Sequence, residues 1–327
     1  MGQATVMNNT VLVGAGANQD IQPPITQDWE VTAIGSSVWV GVVPFQLPQV
    51  DVSLFDGTIQ AEIIQSTDVR GWQRPLKIQI NNGNYLRLNN PGGAGANISW
   101  SAKLVRYFGA GTSNVVSDLA TVGAAATWDV RPGVGYDWKI SDFASNTWVG
   151  AAPAAVPNID VNLTDGTLVA QILDPVSGRL WETQLELFAG RTVYLRMTNT
   201  AGAPAVLGFT GEIYRYFGAG ASVVESILGN AGIAGSVDFQ PADGEEWRVT
   251  CVAGATWVGV PPLLFPDLTV HFFNGTIASQ ISSQTDWLMN GHVPEIVIEN
   301  ANYLRVTNTN AAAQNVGVSA ELIQRYA

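Results

Sequence analysis

Histidine, carboxylate, thiol and indole are the side chains in this sequence whose chemistry would be most specific. His271 and His292 would need carboxylate and serine partners to build a hydrolase triad, or further ligands at set spacings to hold zinc. Asp51, Asp160, Asp56 and Asp165 raise the question of a calcium site or a carboxylate pair, yet no dense run of oxygen ligands of the EF-hand or nonapeptide kind is present. Cys251 stands alone, which excludes an intrachain disulfide, and no cationic neighbour in sequence would activate it. Trp72 and Trp181 lie in polar loops, with Trp287 nearby in the third instance of the same loop. Such indoles either stack on a sugar face or anchor a protein partner, or they plug one end of the fold.

The elements that position these residues come in triplicate. Trp29, Trp138 and Trp247 are 109 residues apart, as are Trp39, Trp148 and Trp257. The same ungapped register relates Gly57, Gly166 and Gly275, the arginines Arg87, Arg196 and Arg305, and the asparagines Asn90, Asn199 and Asn308. Three units of 109 residues fill the 327-residue chain, which predicts domains at 1–109, 110–218 and 219–327. The repeat also weighs the chemistry. His271 aligns with Ser53 and Asn162, so the fold does not depend on imidazole there. Thr269 replaces Asp51 and Asp160, and Asn274 replaces Asp56 and Asp165, which leaves the latter as turn residues. No catalytic residue, metal site or cofactor is predicted.

Periodicity is two almost throughout. Val50–Leu54 alternates, Asp56-Gly57 turns, and Thr58–Ile63 alternates back; Ile159–Ile172 and Leu268–Ile281 repeat this around Asp165-Gly166 and Asn274-Gly275. That pattern predicts a hairpin with a type I′ turn, whose central residues both take positive φ. Strands are also expected at 29–34, 38–42, 76–80 and 85–88, with a long last strand at 98–108, and Thr10–Ile21 adds one more. Only Ser113–Ala120 and Ser222–Leu228 leave room for a short helical turn. Seven or eight short strands per unit read as three tandem antiparallel β-sandwich domains, jelly-roll-like, with an immunoglobulin-like order as the other possibility. The recurring tryptophans Trp29 and Trp39 and their equivalents are expected in the core. Arg87, Arg196 and Arg305 point away from it. They pair with a carboxylate of their own domain, for which Asp28, Asp137 and Glu246 recur, or they make intersubunit contacts.

Charged residues make up 13% of the chain, against 46% hydrophobic, and the net charge is −12. Surface so poor in charge should be covered by other domains or subunits, and it lacks the clustered positive charge that a nucleic-acid surface needs. No apolar run is long enough for a membrane helix, and the N-terminus does not read as a signal peptide. The glycosylation-like tripeptides at Asn97, Asn162 and Asn274 therefore carry no weight. The inter-unit segments Phe108–Ser113 and Phe217–Ser222 are short, so neighbouring domains should touch, as a pseudo-threefold cluster or a row of beads, the cluster being favoured by low charge.

Through its WVG, Asp/Asn-Gly-Thr and Tyr-Leu-Arg segments and its Gly/Ala/Asn-rich loops, the whole chain resembles the decoration (cement) proteins of tailed-bacteriophage capsids. The resemblance carries over no individual residue. It implies a non-enzymatic virion protein made in the host cytoplasm, binding the outside of an icosahedral shell, with the major capsid protein and neighbouring copies of itself as partners. Fusion of three units departs from the one-domain chains common in that family. The other reading is a receptor- or glycan-binding module of a fibre or lectin-like protein, using Trp72, Trp181 and Trp287. A polysaccharide-cleaving enzyme ranks lower, because no carboxylate pair recurs outside the turns. Divergence between units concentrates in the loops Ser66–Arg74, Pro175–Thr183 and Ser283–Val293, where partner contact is expected.

Overall fold

In a computed structural model, the structure describes residues 6–41, 46–68, 72, 75–107, 111–150, 155–175, 186–216, 218, 220–260, 263–282 and 296–325. The first repeat supplies ten strands. They are β1 (Val6–Val13), β2 (Asn18–Ile21), β3 (Gln27–Ser36), β4 (Trp39–Val40) and β5 (Leu47–Pro48), then β6 (Asp51–Phe55), β7 (Gln60–Ile64), β8 (Ile78–Ile80), β9 (Tyr85–Asn89) and β10 (Ala96–Tyr107). The second repeat runs from β11 (Val115–Val122) to β20 (Ala205–Tyr216), and the third from β21 (Ile227–Ala231) to β30 (Gln314–Arg325), in the same order.

Setting aside the two-residue hairpin β4–β5, the eight remaining strands of repeat one form two antiparallel sheets, β1-β10-β3-β8 and β2-β9-β6-β7. Successive strands thus change sheet at every step except the β6–β7 hairpin, and the first strand lies beside the last. This is the jelly-roll order, two interlocked Greek keys, and not the immunoglobulin one. The second and third repeats pair their strands in the same sequence. The fold is all-β, three tandem jelly-roll sandwiches.

Sheets do not stop at the repeat boundary. The β2-β9-β6-β7 sheet continues through β7 into β13 (Tyr136–Ser145) of repeat two, by the antiparallel bridge Glu62↔Ser145. The equivalent sheet of repeat two continues through β17 (Val169–Leu173) into β23 (Glu245–Gly254) of repeat three, by the bridge Gln171↔Gly254. The chain accordingly divides into two compact units. One comprises Met1–Ala126, Ile140–Ile159 and Asn199–Ile213; the other comprises Thr127–Lys139, Asp160–Thr198 and Tyr214–Ala327.

The core of the first unit contains Val31, Val52, Ile78, Ile80, Leu86, Leu88 and Ile98, together with Leu119 and Ala144 from repeat two. The core of the second includes Phe239, Trp247, Val249, Leu304, Val306, Val316 and Val318. Each is built from inward positions of facing strands, the outcome of the period-two pattern.

Four expectations are corrected. Thr10–Ile21 lies in two strands, β1 and β2, because the jelly roll needs its first strand on one sheet and its second on the other. Val115–Val122 is a strand and no helical turn, held along its length by β20. The Asp-Gly turn is a four-residue loop closed by Phe55↔Gln60, and not type I′. Gly57 alone takes positive φ (97°), while Asp56 Oδ1 accepts hydrogen bonds from the backbone N–H of Thr58 and Ile59 at 2.7 and 2.8 Å. Trp39 is not core: it sits in the small β4–β5 hairpin outside both sheets, 55% exposed, while Trp148 and Trp257 are half-buried. Trp29 and Trp247 are buried as expected, and Trp138 is half-buried.

Candidate functional site

The recurring polar residues hold the sandwiches together. Arg87 Nε and Nη2 donate to Asp20 Oδ1 and Oδ2 at 2.8 and 2.9 Å, with the guanidinium 3.5 Å over the Phe55 ring. Arg196 makes the same fork with Asp129, and Arg305 with Asp238, where the ring beneath is Phe273. Planar two-point geometry of this kind is what arginine provides and lysine cannot. The in-domain pair is therefore real, but its carboxylate is Asp20, Asp129 or Asp238, on the strand beside each arginine. These aspartates also recur at 109 residues, a signal present in the sequence.

Asp28 and Asp137 do a different job. Asp28 accepts from Ser113 Oγ at 2.6 Å and from the Asn114 backbone N–H at 2.7 Å; Asp137 does the same for Ser222 and Val223 at 2.6 and 2.8 Å. Each repeat thus fastens the start of the next. Both carboxylates are fully buried, where such charge-assisted bonds are strong.

Beyond the bridges, the seams between repeats are tightly packed. Thr210 Oγ1 donates to Gln79 O, and Asn84 Nδ2 donates to Ser117 O. Leu54, fully buried, packs on Gly208, where a Cβ would meet its Cδ2 at 3.4 Å. At the second seam the Phe188 backbone N–H donates to Ser319 Oγ at 2.9 Å, and Leu163 packs on Gly317. A Cβ at Gly208 would clash with Leu119 Cδ2 at 2.7 Å, and one at Gly317 would press on Ile227 O and Leu163 Cδ2 at 3.2 Å, so both places favour glycine.

Other candidates resolve as follows. His271 faces Arg305 across the sheet, and burial and that cation lower its pKa. Among the described residues no three His, Cys, Asp or Glu side chains gather to hold a metal. Cys251 is buried, and burial pushes its thiol up to about 12. Trp72 is half-buried against the core of the first unit, its indole N–H donating to Gln65 O at 3.0 Å. Trp181, Trp287 and His292 lie outside the described residues, as does most of the three divergent loops. No helix among the described residues is long and apolar enough to cross a membrane.

One carboxylate near the second seam is held against its solution preference. Burial, reinforced by Asp174, raises Asp160 to about 6, while Gln171 partly offsets this. Its folded pKa lies above its unfolded value of about 3.9, so the folded state binds the proton more tightly and stability declines as pH rises through roughly 4 to 6. Asp160→Asn is expected to stabilise the protein at pH 7.5 by about 1 kcal/mol, a figure reduced for partial solvent screening, and to change nothing at pH 4. Urea titrations at both values check this; an equal effect at the two would refute it.

Strand order and the bridges between repeats define a class: jelly rolls in tandem, with a sheet of one repeat running on into the next. No family model matches the sequence, and no curated protein matches it. Among solved structures the chain is similar to one described as "The Triple Jelly Roll Fold and Turret Assembly in an Archaeal Virus", at 12% identity, covering 98% of this chain and 91% of that chain with a TM-score of 0.22. It is also similar to one from "Life in the extremes: atomic structure of Sulfolobus Turreted Icosahedral Virus", at 11% identity, 97% and 91% coverage and a TM-score of 0.20. The jelly-roll assignment rests on strand order and pairing within this chain.

Proposed function

We propose that this chain is a structural virion protein that decorates the outer surface of an icosahedral phage capsid and stabilises it through non-covalent contacts. The observation that carries the reading is the destination of the recurring polar residues: the Arg–Asp forks and the linker-capping aspartates all serve to hold the sandwiches and their connections. A chain with three similar jelly rolls is suited to contact several neighbours at once, and its low share of charged residues is suited to close apposition. Its partners are the major capsid protein and neighbouring copies of itself, and its location is the capsid surface. Stabilisation operates by mass action, since a protein that binds only the assembled shell shifts the equilibrium toward it. Cryo-electron microscopy of particles containing the chain, with mass spectrometry of their proteins, tests this. Density for three jelly rolls on the shell, in fixed stoichiometry with the shell protein, is expected. Density on a fibre or tail tip would overturn the decoration reading.

A further inference from the structure

The seam between repeats is built twice from equivalent residues. Glu62 bridges Ser145, and Gln171 bridges Gly254. Gln79 meets Thr210, and Phe188 meets Ser319. Leu54 packs on Gly208, and Leu163 on Gly317. Advancing each pair by a further 109 residues and returning to the start of the chain gives a third set: Gln280 with Ser36, Val297 with Ser101, and Phe272 with Ser99. Among the described residues neither sheet pairs that third set. β27 (Ala278–Ser282) pairs with β26 (Leu268–Phe273), and β3 pairs with β10 and β8.

Both halves of the missing seam are bare. On the third repeat Phe272 is 38% exposed where Leu54 and Leu163 are fully buried, and Val297 is 53% exposed where Gln79 and Phe188 are buried. Residues 277–280 are all exposed. On the first repeat, Thr32 and Ala33 are exposed and Ile34 to Ser36 half-exposed, whereas 141–145 and 250–254 are buried throughout. The exposure of Trp39 has the same origin. Its equivalent Trp148 donates its indole N–H to Ser145 O at 3.0 Å, and stands beside Glu62 of repeat one, a neighbour that Trp39 lacks among the described residues.

The two bare faces also fit each other. On repeat one they leave a groove of about 490 Å³, lined by Thr10, Ile34, Gly35, Ser99, Trp100 and Ser101 among others. Thr10 stands where the covered repeats have Leu119 and Leu228, so the groove is wider; Phe272 stands where the inserting residue is otherwise leucine, so the knob is larger. Gln280 is neutral where Glu62 is a carboxylate whose pKa burial raises.

We propose that the third repeat of one molecule docks on the first repeat of a second copy of this chain, re-creating the internal seam, with Phe272 seated in the Ser99–Ser101 groove. The contact is head-to-tail, so copies form a closed ring or an open filament according to the rotation between them. It stands independently of the virion reading, because the test needs only purified protein.

Two variants that each add one cysteine, Ser36→Cys and Gln280→Cys, are mixed and oxidised; the native Cys251 is buried and does not compete. Because the two thiols sit on different molecules, a disulfide between them reports docking between copies. The expected result is a heterodimer on non-reducing gels, absent for either variant alone, and a ladder of multimers for the double variant. No heterodimer, or a double variant closed only within its own chain, would overturn the proposal. Light scattering supplies the second measurement. Phe272→Asp, at an exposed position and so folding normally by circular dichroism, should raise the concentration for association roughly 30-fold or more. Wild-type protein that stays monomeric, or a variant that associates equally well, would refute it.

Discussion

Phe188→Ala is expected to destabilise the chain by about 3–4 kcal/mol, seen as a lower midpoint in guanidinium and a larger loss than any surface substitution gives. Phe188 is fully buried, stacks edge-on against Tyr214 at 5.1 Å and lies beneath Arg248 of the next repeat. Its backbone is clamped at both ends, the N–H donating to Ser319 and the carbonyl accepting from Ser226. Removing the ring leaves a cavity whose walls are sheet residues tied by ladder bonds, so little collapse can offset the loss. The same cavity should loosen the seam: amide exchange at 316–319 should accelerate, while exchange in the sheets of repeat one stays as it was. Uniform acceleration across the chain would show that the seam is not a separate source of stability.

Asn90→Ala is expected to cost about 3 kcal/mol, and Asn90→Asp nearly as much, as measured by urea denaturation at neutral pH. The buried Asn90 amide donates to the carbonyls of Val13, Gly14 and Ala94 and accepts from the Gly92 N–H. Alanine would leave those backbone groups buried without partners, the expensive side of hydrogen bonding. Aspartate matches the shape but offers no N–H, so it would place a carboxylate against three carbonyl oxygens. Asn199 and Asn308 repeat the arrangement with Val122, Gly123 and Ala203, and with Ala231, Gly232 and Ala312. An Asn90→Asp variant as stable as wild type would remove the amide from this role.

Much of the fold is legible without coordinates because its determinants are local. Alternation at Leu86 and Leu88 fixes which face turns inward, as at Leu304 and Val306, and Gly57 marks where the chain must take positive φ. The type of that turn was not legible. The loop is closed by the Asp56 side chain accepting two backbone N–H groups, and Asn274 does this as well as aspartate. Arg87 could be assigned an in-domain carboxylate, but only strand order reveals that β2 and not β3 lies beside it, which makes the partner Asp20 and frees Asp28 to cap the linker.

What the sequence determined by itself is the threefold repeat, the all-β class, the place of each hairpin and the recurrence of the holding residues. All follow from interactions a few residues apart or from identity at a fixed spacing. Tertiary structure alone decided how the sandwiches join. Leu54, Leu163 and Phe272 occupy one position in the repeat, yet the first two are buried and the third is open. The difference is not in the residue or its strand but in whether another repeat stands beside it, and burial at an edge is a property of the neighbour.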